Sequence, residues 1–170
     1  MTHPTPSEAP GRRVRPRGLL AVGALLAGLA LTACTAPTPT ITWYGNGNST
    51  HAGPVVYCEL TAEAAPNCRE TEGPTARLTL TPGDFVQVNI PGEVAAQPWV
   101  LVWNYTDSDA TQTSERSPVN TDGRTLSYVI RPAEGKLLAQ VDLQVLTIVA
   151  GASAPEYAPL SVWRLQVDQP

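Results

Sequence analysis

Proline interrupts this chain from end to end, taking 17 of its 170 positions, about twice the usual share. Proline removes a helical hydrogen bond and clashes with the preceding turn, so long helices have little room. The segments between the prolines alternate. In residues 85–90, Val86, Val88 and Ile90 fall on one side and Gln87 and Asn89 on the other. The longest regular run is 137–149, where Val141, Leu143 and Val145 alternate with Asp142 and Gln144. A period of two is the signature of a strand with one face buried.

Eight strands are expected on this basis: 41–44, 54–60, 77–80, 85–90, 99–105, 124–130, 137–149 and 162–167. Residues 45–48, Gly-Asn-Gly-Asn, read as a turn, as do Pro82-Gly83, Pro91-Gly92 and 131–135. Residues 63–74, 107–123 and 155–159 read as loops. Leu126, Tyr128 and Ile130 are expected on one face, as are Trp163, Leu165 and Val167. Strands that each hide one face are satisfied by two packed sheets, so the expected fold is all-β, an immunoglobulin-like antiparallel β-sandwich. A small β-barrel is the alternative.

The N-terminus has a different character. Arg12, Arg13, Arg15 and Arg17 precede an apolar run over 19–33 that ends in Leu31-Thr32-Ala33-Cys34. A cationic start, a short apolar segment and small residues before the cut describe an export signal. The run has 15 residues, whereas a spanning helix needs roughly 20. A cysteine directly after Leu-Thr-Ala resembles a lipoprotein signal, in which Cys34 receives palmitate-type acyl chains and becomes the first mature residue. Arg12-Arg13 raises the twin-arginine export route, but Val14 is followed by Arg15 and Pro16, which favours the general secretory route. The expected organisation is a signal peptide over 1–33, a lipidated Pro/Thr tether over 34–40 and one domain over 41–170. The six tether residues after Cys34 reach at most about 20 Å if extended.

Removing residues 1–33 leaves 7 basic against 14 acidic residues. Such a domain is repelled by nucleic acid and by anionic headgroups, so no nucleic-acid partner is expected. Membrane affinity is left to the lipid on Cys34, and at least two acyl chains suffice for stable anchoring. The location expected is the outer face of the cytoplasmic membrane; plain secretion is the alternative. With Cys34 lipidated, Cys58 and Cys68 are the remaining thiols of an exported domain, and a disulfide between them is expected.

Chemistry-bearing residues are sparse. His51 is the lone mature imidazole and lies in no hydrolase motif. No metal site and no cofactor is expected, and the chain is read as a non-enzyme. Glu93, Asp107, Asp109, Glu115 and Asp122 lie in expected turns or loops, where solvated charge is their ordinary role. Of the four tryptophans, Trp99, Trp103 and Trp163 have strand positions and apolar neighbours and are expected in the core. Trp43 and Tyr44 border the 45–48 turn and are the candidate binding pair, with Asp107 and Asp109 as candidate loop contacts.

Taken in order, several landmarks resemble a family of exported actinobacterial lipoproteins, domain of unknown function 2771. They are Ile41-Thr42-Trp43-Tyr44, Tyr57-Cys58 with Cys68, Pro82-Gly83 before an alternating strand, Ile90-Pro91-x-Glu93-Val94, Pro98-Trp99, Tyr105 and Val162-Trp163. A single lysine against ten arginines fits the GC-rich genome that such a source implies. The resemblance implies a secreted or membrane-anchored domain and supplies no catalytic residues. The expected function is therefore that of a membrane-anchored binding or accessory module for an envelope protein partner. The alternative is a domain that binds or cleaves cell-wall glycan through loop carboxylates and Trp43.

Overall fold

Strand-period segments in this computed structural model pair into two open sheets. The described residues are 38–59, 67–71, 75–106, 111–150 and 154–170. The strands among them are β1 (Ile41–Gly45), β2 (Asn48–Ala52), β3 (Val56–Glu59), β4 (Asn67–Glu70), β5 (Ala76–Thr79), β6 (Val86–Asn89), β7 (Trp99–Thr106), β8 (Gln112–Arg116), β9 (Ser127–Ile130), β10 (Leu137–Ala150) and β11 (Pro155–Asp168). One helical turn, α1 (Gly92–Ala95), lies between β6 and β7. The smaller sheet has the order β2-β1-β6-β9, and the larger runs β4-β3-β11-β10-β7-β8 with β5 also on β11. Neither sheet closes, so the architecture is the expected β-sandwich and not the barrel.

Alternation buries one face of each sheet in a shared core. Ile41, Trp43, Val86, Val88 and Ile130 from the smaller sheet meet Leu101, Val141, Leu143, Trp163 and Leu165 from the larger. Trp99, Trp103 and Trp163 are buried as expected. The indole N–H of Trp163 donates to the carbonyl of Pro39 at 3.0 Å, which holds the chain where it leads into β1. Tyr128 closes one end of the core, with its ring edge-on to Trp99 at 6.4 Å between centroids.

Three strands lie where loops or turns are expected. β2, β4 and β8 carry the sequences NSTHA, NCRE and QTSER. These are edge strands, and β2 and β8 are largely exposed, so backbone pairing to β1 and β7 forms them without an apolar face. Likewise, residues 155–159 are strand and not loop. Proline is tolerated there because Pro159 sits opposite the register shift between Val145 and Leu146. Leu126 precedes β9 and is exposed, so only Tyr128 and Ile130 of that trio turn inward.

β11 organises the larger sheet. β10 lines one edge from Pro155 to Gln166. Along the other edge, β3 pairs at Ser161–Val162, and β5 pairs from Leu165 to Asp168 in the one parallel ladder among the described strands. Asp142 falls on the outer face, as its alternation requires, yet is only 8 % exposed. The Arg164 guanidinium lies across it, with Nε to Oδ1 at 2.8 Å and Nη2 to Oδ2 at 2.7 Å. A two-pronged bond of this kind satisfies a carboxylate that burial would otherwise penalise.

Candidate functional site

The β1–β2 hairpin sets the geometry of the site. Asn46 and Gly47 both have positive φ, 47° and 71°, as a two-residue turn between right-twisted strands requires. Gly45 and Asn48 close the turn as a register pair. The Asn48 side-chain amide donates to the Asn46 carbonyl at 3.0 Å. Strand parity then separates the candidate pair. Trp43 points inward and is fully buried, so its place in the candidate binding surface is corrected. Its indole opposes Val88 and Thr50 in the register of the inner face. Tyr44 points outward and is exposed.

Tyr44 stands in a row that crosses the whole smaller sheet, from Ser49 through Tyr44 and Gln87 to Val129. The adjacent outer row is His51, Thr42, Asn89 and Ser127. His51 is thus an exposed strand residue of β2. Beside Tyr44 runs a groove of about 530 Å³, a size usual for ligand sites. Tyr44 and Phe85 supply its rings, and Asn46, Asn48, Gln87 and Asn89 its amides. Phe85 was not among the sequence candidates. Its signal was legible, since it shares parity with the outward Gln87 and Asn89.

The charges bordering the groove are engaged within the fold. The Asp84 carboxylate accepts from the Thr81 backbone N–H at 2.8 Å and the Thr81 hydroxyl at 2.7 Å. These bonds, the backbone one foremost, hold Asp84 below the ordinary carboxylate range. The Arg131 guanidinium sits 5.0 Å from the centre of the Phe85 ring. Gln87 Nε2 donates to Asn89 Oδ1 at 3.1 Å. The other polar ends of these two amides, the Gln87 oxygen and the Asn89 nitrogen, have no partner among the described residues.

Gly45 makes the close approach behind the groove possible. A Cβ at this position would lie 2.7 Å from Leu80 Cδ2 and 3.1 Å from the Phe85 carbonyl oxygen. Leu80 is buried and the second obstacle is backbone, so both must shift. Gly45→Ala is expected to destabilise the domain by about 1–3 kcal/mol. Urea unfolding checks this, and an unchanged midpoint would show that the packing relaxes freely.

Two of the described candidate carboxylates, Glu115 and Asp122, are engaged within the fold. Glu115 on β8 accepts from Lys136 at 3.3 Å, and the Tyr105 hydroxyl lies 3.5 Å from its second oxygen. Burial, first of all, pushes the Tyr105 phenol up. Asp122 accepts from the backbone N–H groups of Arg124 and Thr125 and from the Thr125 hydroxyl, and these bonds lower its pKa. Glu93 stands in the first turn of α1. Cys34, Asp107 and Asp109 lie outside the described residues. No group of three His, Cys, Asp or Glu side chains suited to a metal occurs among the described residues.

The expected bridge is present, joining Cys58 and Cys68 across the β3–β4 pair. The match to known proteins is at family level. The family model described as "Protein of unknown function (DUF2771)" matches residues 35–168. The chain belongs to this family. The DUF2771 match takes in every described strand, from β1 to the end of β11, and both faces of the groove. No curated protein matches, and no solved structure matches.

Proposed function

We propose that this DUF2771 protein is an exported lipoprotein that acts as a non-catalytic binding module of the cell envelope. Acyl chains on Cys34 hold it at the outer face of the cytoplasmic membrane, and the groove beside Tyr44 receives its ligand. The observation that carries the reading is the outer face of the smaller sheet. No described element covers it, and it gathers two exposed rings and four amides around one groove. An uncovered sheet face whose only function is solvation would be expected to carry charge. In this acidic chain the two outer rows hold none beyond the imidazole of His51.

Anchoring and binding are tested together in cells. A photoreactive residue replaces Val129, exposed beside Gln87 but outside the groove lining, and a control copy carries it at Gln166 on the other sheet. Crosslinked envelope material is expected from position 129 and not from 166; equal yields would defeat the groove as the binding surface. Cys34→Ala is expected to move the protein out of the membrane fraction or leave it unprocessed. Normal processing and retention of that variant would defeat the lipoprotein assignment.

A further inference from the structure

We infer that the Tyr44–Phe85 groove binds a neutral, hydroxyl-rich carbohydrate chain. The inference rests on the proposed role of the groove as the binding surface and adds the chemistry of its ligand. A pyranose ring has an apolar C–H face and a rim of hydroxyls. Tyr44 and Phe85, 38 % and 41 % exposed, offer aromatic surface for the first. Asn46, Asn48, Gln87 and Asn89 surround them. A side-chain amide both donates and accepts, which is the pattern a hydroxyl requires, whereas a carboxylate only accepts and an ammonium only donates.

Other ligand classes fit less well. Among the described residues of the lining, Asp84 is the one that carries charge, and Thr81 donates twice to its Oδ2. Arg131 lies over a face of Phe85 and is not part of the lining. An anionic ligand therefore finds no cation among the described lining residues, and a cationic one finds a single carboxylate. Protein interfaces centre on contiguous apolar and aromatic surface. Here each ring is set among amides and the Ser49 hydroxyl, and Ser49 and Gln87 flank Tyr44 directly in the register.

Affinity electrophoresis of the folded domain through gels containing dextran, mannan or galactan tests the inference, with hyaluronan as the charged control. Retardation by at least one neutral polymer is expected, and none by hyaluronan. Tyr44→Ala and Phe85→Ala are each expected to weaken binding roughly tenfold, given the worth of one aromatic contact. Gln87→Glu keeps the shape and adds charge, and should also weaken binding. Circular dichroism melts of each variant keep loss of fold apart from loss of binding. Retardation by no neutral polymer, or binding unchanged in a folded Tyr44→Ala protein, would overturn the carbohydrate assignment. If position 129 still crosslinks a protein in cells, the binding module stands and its ligand is that protein. If position 129 captures nothing, the groove itself is rejected.

Discussion

Trp43→Ala is expected to lower the unfolding free energy by about 3–5 kcal/mol. The indole is fully buried at the centre of the smaller sheet, and it belongs to the same core cluster as Leu143, Trp163 and Leu165 of the larger one. Removing it takes away a large apolar area, and the strands on either side hold the backbone in place, so the cavity can collapse only in part. Trp43→Phe separates packing from hydrogen bonding. The Trp43 Nε1 has no hydrogen-bond partner among the described residues, and a buried donor left unpaired is itself unfavourable. Phenylalanine keeps most of the apolar area and removes that donor, so its cost should be well below that of alanine. Urea titration of the three proteins decides the matter. Equal, small losses for both variants would contradict a core position for Trp43.

Reduction of the Cys58–Cys68 bridge is expected to destabilise the domain by about 2.7 kcal/mol, the loop-closure value for this spacing. The sequence separation is 10, so the gain comes from a short loop. Its position makes the bond matter locally as well. Among the described strands β4 pairs only with β3, and β3 meets β11 through two register pairs, Ser161 with Tyr57 and Val162 with Val56. Without the bridge, the β3–β4 edge should open before the long β10–β11 ladder. Amide exchange would then quicken at Asn67–Glu70 while residues 141–145 keep their protection. Cys58→Ser should behave like the reduced protein. A melting curve unmoved by reduction would mean that the bridge adds nothing to stability.

Much of the fold was legible because alternation is local. Val86, Val88 and Ile90 announced their inward face, and residues 137–149 announced the longest strand. The bridge was legible from the count of thiols, since two remain once Cys34 is set aside as the expected lipidation site. The polar strands β2, β4 and β8 were not, because NSTHA, NCRE and QTSER have no apolar period to detect. Their strand character belongs to the backbone ladders supplied by their neighbours. Pro155 and Pro159 give 155–159 the look of a loop, because proline disfavours strand interiors. The register shift beside it was invisible without its partner strand.

The candidate site divides in the same way. The neighbouring turn puts both Tyr44 and Trp43 among the candidates, and the fold exposes the first and buries the second. Parity with Ile41 already placed Trp43 on the inner face. Residue order and composition were enough to establish an all-β domain, its inward faces, its bridge and its family. They could not bring Tyr44 beside Phe85. That meeting depends on β6 pairing with β1, and strand pairing between distant segments is selected by the packing of Trp43 against Val88 and by backbone hydrogen bonds that carry no side-chain signature. The groove and the chemistry of its lining exist only once that choice is made.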